Sequence, residues 1–458
     1  MSTEQEQVQV RFVTKQEKYA ISDAAILVPA NFKRYGLSEI VNNLLNHGAQ
    51  NKEREKKISL QISNFLPLTF HRSLLLKFTL FFSLEKPTPF DFLIDGEILR
   101  TSIADYLFSK SLSTENIITI EYVESMLPPT PLTAYQHDDW ISSVKGRNGL
   151  FLTGSYDNNV RLWNTSGECI ATLTGHSDSV KSVAFGSVDN SLVHAYSGSL
   201  DYSLLGWEYS TENDTSRIRY ECKGHKAAIE SVAVDSTNTY IASASADSTI
   251  KVWLAVEPVE DEPALEESAP KKRKKTEKKS DRKIKTRAMT LEGHVGSVNS
   301  VVFDGNDSNI VYSAGWDHSI RSWDVEQQVN LVTKNCEKVV LDVDYSSHSK
   351  LAATGHADNI IRLWDPRSDD GTNVKLALRG HSAWVSSVSW SSTSEYTLCS
   401  GSYDSTVRIW DIRSKGPLYT IEAEDPSKKE KVFSVHWDGE RVLSGGEDKK
   451  LRLYQAKV

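Results

Sequence analysis

Thr153-Gly-Ser-Tyr-Asp157-Asn-Asn-Val-Arg-Leu-Trp163 carries the pattern on which the fold turns: a run of small residues, an aspartate in a turn, and an aromatic residue six positions later. The pattern recurs at Asp201 and Trp207, Asp247 and Trp253, Asp317 and Trp323, Asp358 and Trp364, Asp404 and Trp410, and Asp448 and Tyr454. Successive aromatics stand 41 to 46 residues apart, except for one interval of 70 between Trp253 and Trp323. A fixed period of this length marks a repeat architecture, in which each small unit needs its neighbours to bury its faces. β-Branched stretches flank the turns, as in Val180 to Phe185, Leu192 to Ser197 and Leu204 to Trp207, and read as short antiparallel strands.

Gly-His pairs precede many units, at Gly175-His176, Gly224-His225, Gly293-His294 and Gly380-His381, with Gln136-His137 where the first would fall. Together these features resemble the WD-repeat signature, which implies an all-β seven-bladed WD40 β-propeller over residues 132–458 with an insertion in the long interval. In that family the His, a strand Ser or Thr, the turn Asp and the strand Trp form a buried hydrogen-bonded chain. A buried carboxylate is costly unless paired, and an imidazole N–H beside it satisfies the charge. By that resemblance His137, Asp157, His176, Asp201, His225, Asp247, His294, Asp317, Asp358, His381, Asp404 and Asp448 are structural. A catalytic Ser-His-Asp reading fails because the same constellation recurs around the ring with no unique nucleophile. The fifth and seventh units carry Asn335-Cys336 and Glu424-Asp425 where the Gly-His pair belongs, so their blades are expected to close less tightly. Leu132 to Gln136 should supply the outer strand of the last blade, interlocking the ends of the array and leaving only short, protected edges.

Ahead of the repeats, Val8 to Thr14 alternates as a strand and Ala25 to Val28 reads as its hairpin partner. Ser38 can cap a helix whose apolar stripe is Ile40, Val41, Leu44 and Leu45, with Glu39 in the first turn. Phe90 to Ile94, a turn at Asp95-Gly96, Ile98-Leu99, a short helix from Ser102 to Leu107 and a closing strand from Ile117 to Val123 complete the order of a small α+β ubiquitin-like (β-grasp) domain over residues 1–123. The following 124–131 is a stiff, proline-rich linker with no Gly-Gly terminus to be activated, which makes the domain a docking module rather than a conjugated tag.

With 39% hydrophobic and 25% charged residues the 458-residue chain has the composition of a soluble globular protein, and a net charge of -8 does not imply nucleic-acid binding by the whole surface, so any contact with RNA would come from a local basic segment. Cys169, Cys222, Cys336 and Cys399 lie far apart, which argues against zinc and against a disulfide framework. Met1 to Gln9 lacks the apolar core of a secretory signal, so a cytosolic or nuclear location is expected. No P-loop, metal cluster or unique nucleophile and base points to an enzyme, and no cofactor is expected.

The two domains together resemble the WD-repeat ribosome-biogenesis factors that carry a Notchless-like ubiquitin-like domain. The most specific stretches are Lys33-Arg-Tyr-Gly-Leu-Ser-Glu-Ile-Val41, Pro89-Phe-Asp-Phe-Leu-Ile-Asp-Gly-Glu-Ile-Leu-Arg100 and Leu127-Pro-Pro129, and the likeness covers nearly the whole chain. It implies a subunit of a trimeric complex with a pescadillo-type protein and a block-of-proliferation-type WD-repeat protein, acting on precursors of the large ribosomal subunit in nucleolus and nucleoplasm. It further implies that a midasin-type AAA ATPase grips the ubiquitin-like domain, one acidic side chain completing a Mg²⁺ site that belongs to the ATPase. Glu115, in Leu112-Ser-Thr-Glu115-Asn, matches the family's position; by residue type alone it is an ordinary solvated loop glutamate. A ubiquitin-ligase substrate receptor is the competing reading, and it needs an adaptor-binding helical element that the sequence does not offer.

Two segments interrupt the pattern. Residues 256–288 contain an acidic stretch and then a basic run, beginning at Lys271, Lys272, Arg273, Lys274 and Lys275, and are expected to form a charged, disordered loop. The basic start resembles a nuclear-import signal, with contact to the ribosomal RNA backbone as a second use and a solvated linker without a role as the alternative. Residues 48–84 split the ubiquitin-like domain with an apolar but polar-interrupted stretch, too broken for a membrane span; it is either a poorly ordered insertion or a translated intron. Finally, the residue before each turn Asp is expected on the top face of the propeller. Tyr156, Leu200, Trp316 and Tyr403 there form a candidate protein-binding surface, packing between neighbouring blades being the alternative.

Overall fold

The computed structural model describes residues 7–45, 88–189, 191–262, 282–368, 374–422 and 428–457. They fall into two compact units, Met1–Met126 and Leu127–Val458. In the first, β1 (Gln7–Val13) buries every second residue, Val8, Val10 and Phe12, as the alternation requires. It pairs antiparallel with β2 (Ile26–Pro29) and parallel with β5 (Ile118–Glu124), while β3 (Phe90–Ile94) joins β5 to β4 (Glu97–Ile98). The sheet order β2-β1-β5-β3-β4, with a helix packed on it, is the β-grasp arrangement. Asp95 and Gly96, at φ 52° and 79°, form the left-handed pair that a two-residue hairpin turn demands. Rings of Phe12, Phe90, Phe92 and Tyr122 meet edge to face in the core, with centroids 5.6 to 6.2 Å apart.

Three boundaries differ from the sequence reading. Helix α1 spans 34–45, so Ser38 lies inside it rather than at its cap; its hydroxyl accepts a hydrogen bond from the Phe90 amide at 3.2 Å and ties the helix to β3. Helix α2 (Ile103–Lys110) starts at a capping box formed by Ser102 and Asp105 and runs three residues beyond Leu107. The linker is shorter than 124–131, because β5 extends to Glu124 and Ser125 belongs to the first unit, donating to Asp91 at 2.6 Å. The interruption at 48–84 lies outside the described residues.

The second unit is a ring of seven sheets, each starting with an innermost strand and ending with an outer one. Strand β6 (Thr130–Gln136), two residues longer at its start than the sequence pattern suggested, completes the seventh sheet by pairing antiparallel with Lys450–Gln455. Around the channel, the third residue of each innermost strand reaches the next blade. The hydroxyls of Ser143, Ser182, Ser231, Ser387 and Ser434 accept from the amides of Val183, Val232, Val301, Val435 and Val144 at 3.0 to 3.3 Å. In the fifth blade Asp342 takes the serine's place, accepting from Val388 at 3.0 Å and from Ser300 Oγ at 2.7 Å.

In the second, third, fourth and sixth blades the buried chain forms as expected. His176, His225, His294 and His381 place Nδ1 2.8 to 2.9 Å from Asp201, Asp247, Asp317 and Asp404. Their Nε2 atoms meet Ser197, Ser243, Ser313 and Ser400 at 2.7 to 2.8 Å, and each serine also accepts from the strand tryptophan. Burial works to raise the four carboxyls, but the histidine hydrogen bond and charge outweigh it and hold them well below the usual carboxylate range.

The other three blades depart from this plan. His137 does not pair with Asp157: its Nε2 meets Thr153 at 2.8 Å, its Nδ1 has no hydrogen-bond partner, and Asp157 binds Arg161 at 2.5 Å. Asp358 binds Arg362 at 2.9 Å, and Asp448 binds Arg452 at 2.7 Å. An arginine four residues on, pointing to the same side of its strand turn, supplies the missing positive partner. In the fifth blade His356, from within a strand, meets Thr354 at 2.8 Å, a role the loop-histidine pattern did not reveal. A cleft of about 480 Å³ opens there beside Cys336 and Trp364, whereas the gap beside Asp448 and Tyr454 is only about 20 Å³. A cleft of about 540 Å³ also opens beside Asp201 and His225, where the buried chain is complete, so cleft volume does not follow the missing Gly-His pair, and Glu424 and Asp425 lie outside the described residues.

The insertion is also corrected. Residues at both ends of 256–288 are ordered, and Ile284–Lys285 adds a fifth strand to the second blade, parallel to Thr215–Cys222. Glu257 bridges Arg217 at 3.0 Å and Lys283 at 2.8 Å, and the buried Lys285 ammonium donates to the Val256 carbonyl beneath the Tyr220 ring. Glu257 and Lys283, from the two described ends of the insertion, thus offset each other beside the second blade, while most of both charged stretches lies outside the described residues. Lys271 to Lys275 lie outside the described residues.

Two predictions follow from this packing. Deleting residues 127–136 removes the seam of the ring, so the propeller should lose cooperative thermal unfolding, measured by calorimetry. Burial, reinforced by Arg161 and Arg362 respectively, pushes His137 and His356 down to about 4. Below an unfolded-state pKa of 6.5 the unfolded chain binds protons that these folded histidines refuse, so stability falls as pH drops from 6.5 to about 4, by ~3 kcal/mol per histidine at most. A His137→Gln/His356→Gln chain, which keeps a group near each Nε2, should show a shallower loss of thermal stability across that window.

Candidate protein-binding site

The residue before each turn Asp is positioned by a backbone hydrogen bond to the loop that precedes the innermost strand of the same blade. Tyr156 N donates to Trp140 O at 2.9 Å, Tyr403 N to Trp384 O at 2.9 Å, Trp316 N to Ser297 O at 2.8 Å and Leu200 N to Ser179 O at 3.0 Å. Every blade therefore presents two adjacent side chains on this face, and where both are aromatic they stack: Trp384 on Tyr403 at 5.7 Å, Trp140 edge-on to Tyr156 at 5.7 Å. Phe433, the second residue of the seventh blade's inner strand, bridges the two pairs. Its centroid lies 5.9 Å from Tyr403, 5.9 Å from Trp140 and 6.4 Å from Tyr156.

Of the residues expected on this face, Tyr156 and Tyr403 are brought into one aromatic cluster and are half-buried by it, so contact between neighbouring blades accounts for part of their area. Trp316, 52% exposed, stands apart on the fourth blade at the mouth of the central channel, and the half-buried Leu200 joins no ring contact. Trp140 and Trp384, 41% and 43% exposed, were missed. The signal for them was available: each lies three residues after a loop histidine, His137 or His381. Phe433 carried no such signal, since its blade lacks that histidine.

Beneath the cluster runs a channel of about 810 Å³ whose wall includes Lys145, Asp342, Asp344 and His436. Burial raises the Asp344 carboxyl to about 6, and Lys145 works against the rise. Both Asp344 oxygens accept backbone amides, from Tyr345 at 3.0 Å and Trp390 at 2.7 Å, so this carboxylate fastens the fifth blade to the sixth. Among the described residues no group of His, Cys, Asp and Glu could hold a metal ion, and no helix is long and apolar enough to cross a membrane.

On the first unit, Glu115 lies in the turn between α2 and β5, its amide bonded to Ser113 Oγ at 3.2 Å and its side chain exposed. Phe108, Leu112 and Ile117, close to it along the chain, are exposed as well, Phe108 at 90%.

Comparison with known proteins agrees with both units. The NLE (NUC135) domain family matches residues 8–65 and 73–107, stopping and resuming within the 48–84 interruption, and the WD domain, G-beta repeat family matches seven segments between 129 and 455. The ribosome biogenesis protein WDR12 homolog of Nematostella vectensis is 37% identical over 98% of this chain and 99% of its own length. The ribosome biogenesis protein YTM1 of Kluyveromyces lactis is 34% identical over 99% of this chain and 98% of its own. The chain belongs to the WDR12/YTM1 family of ribosome biogenesis proteins. Its N-terminal unit is the family's ubiquitin-like NLE domain, and the second is its seven-repeat propeller.

Proposed function

We propose that this chain is a non-enzymatic assembly factor of the large ribosomal subunit, working in the nucleolus and nucleoplasm within a trimeric complex. The observation that carries the proposal is the end-to-end match to ribosome biogenesis proteins, which joins the ubiquitin-like unit and the propeller in one chain. The partners are a block-of-proliferation-type WD-repeat protein, bound at the top face around Tyr156, Trp316 and Tyr403, and through it a pescadillo-type protein. Exposed aromatics are the residue type that dominates interface energy, which supports that choice of face. Lys271 to Lys275 serve as the nuclear-import signal.

Release depends on the other unit. A midasin-type AAA ATPase presents a Mg²⁺ that keeps an open coordination position, and the Glu115 carboxylate fills it, hard oxygen to hard cation. Its exposed turn and the lack of an ion-pair partner among the described residues suit a side chain that must leave water for a metal on another protein. Force from ATP hydrolysis then strips the complex from the particle.

A Glu115→Ala chain should join large-subunit precursors normally but accumulate on them, read by sedimentation and affinity purification; normal growth of cells carrying only that variant would sink the release mechanism. A Tyr156→Ala/Trp316→Ala/Tyr403→Ala chain that melts at the wild-type temperature should lose the WD-repeat partner by about tenfold or more in affinity, and unchanged binding removes the top-face assignment. Purification of the intact chain with ubiquitin-ligase subunits in place of ribosomal precursors would replace the proposal altogether.

A further inference from the structure

Besides the third residue of each innermost strand, the second and the fifth can also reach the next blade, and the seven junctions use them unequally. At the fifth position Asp344, Ser389 and His436 accept amides of the following blade, from Trp390 at 2.7 Å, Trp437 at 3.2 Å and Gly146 at 3.2 Å. At the second position Ser142, Asn299 and Ser386 donate to the carbonyls of Val180, Val340 and Val432 at 2.6 to 2.9 Å. Between the second and third blades Lys181 pairs with Glu230 at 3.4 Å, and the Tyr220 hydroxyl donates to the Ala255 carbonyl at 2.9 Å. The junction of the third and fourth blades has no such addition. Its fifth-position residue, Ala233, offers no acceptor, and its second-position residue, Glu230, turns back to Lys181. Among the described residues a single side-chain hydrogen bond crosses it, from the Val301 amide to Ser231 at 3.3 Å.

We propose that the propeller has a built-in opening point here: the third and fourth blades part first when the ring yields, and the seam closed by β6 holds. Apolar packing continues across this junction, through Leu291, Val298 and Trp323, as it does across the junctions on either side, so the polar ties are what differ. Each hydrogen bond forgone is worth about fivefold in an opening equilibrium. Local opening is drawn from the places with the fewest such bonds. In a ring of seven, the junction of the third and fourth blades lies opposite the seventh blade. The aromatic cluster, built on the sixth, seventh and first blades, therefore stays on the closed side when the ring parts. The inference stands on the ring alone and is independent of the function proposed above.

The junctions carry their own reporters, because the fourth residue of an inner strand is a valine whose amide donates to the preceding blade. Val144, Val183, Val232, Val301, Val388 and Val435 each report one junction. The test is residue-resolved amide hydrogen exchange of these six on the full chain, corrected for intrinsic rates. Val301 is expected to exchange about fivefold or more faster than each of the others. Equal protection of all six, or any other of them exchanging as fast as Val301, overturns the inference; fastest exchange at Val144 would place the opening at the junction of the seventh and first blades instead. A second measurement uses Ala233→Ser, which puts an acceptor where Ser389 has one two blades from the seam. By the alternation along the strand, the Phe303 amide faces the same way as that of Val301 and can donate to it. This chain should slow exchange at Val301 by about fivefold and leave Val435 unchanged. An Ala233→Ser chain that melts with the wild type, checked by calorimetry, and exchanges Val301 at the wild-type rate counts against the opening point.

Discussion

The propeller depends on the pairing of β6 with Lys450–Gln455. A blade is a small sheet with two apolar faces, stable only when both are covered by neighbours, so an open array would leave its first and last blades half-exposed. Taking the outer strand of the seventh blade from the start of the array makes the two ends one sheet, and opening the ring there means breaking a strand pair rather than parting two surfaces. The hydrogen bonds around the channel presuppose that closure. Ser434 of the last blade reaches Val144 of the first only because the ring is shut.

Within the closed ring, the buried polar chains solve one problem in two ways. A turn aspartate must be charged to accept the amides of its own tight turn, and its burial has to be offset. Four blades use a loop histidine, which also holds the strand tryptophan through a shared serine. Three use an arginine from the same blade, and in two of these a histidine is still present but its side chain hydrogen-bonds to a threonine and to no carboxylate. Those two histidines are the costly ones to protonate, because no carboxylate receives the charge.

The same scaffold explains where the binding face lies. The backbone bond from the residue before the turn aspartate to the residue before the inner strand fixes two side chains side by side in every blade, whatever their identity. Only in the first and sixth blades are both aromatic, and only the seventh places a phenylalanine between them. The cluster is therefore a property of three blades at once. The N-terminal unit makes a different use of rigid structure, setting Glu115 on a short turn between a capped helix and a central strand, exposed beside apolar side chains.

Periodicity in the sequence determined the number of blades, the closing strand and the alternation of β1, because these follow from spacing along one chain. It also singled out Tyr156, Trp316 and Tyr403 as facing one way, and Glu115 as a candidate by resemblance. Only the tertiary structure decided which of these meet. Phe433 is remote from Tyr156 in sequence and adjacent to it in the ring, Arg161 displaces His137 from Asp157, and Glu257 and Lys283 from the two ends of the insertion meet beside the second blade. Such choices depend on which partner arrives at a shared position in space, and a local pattern carries no record of that.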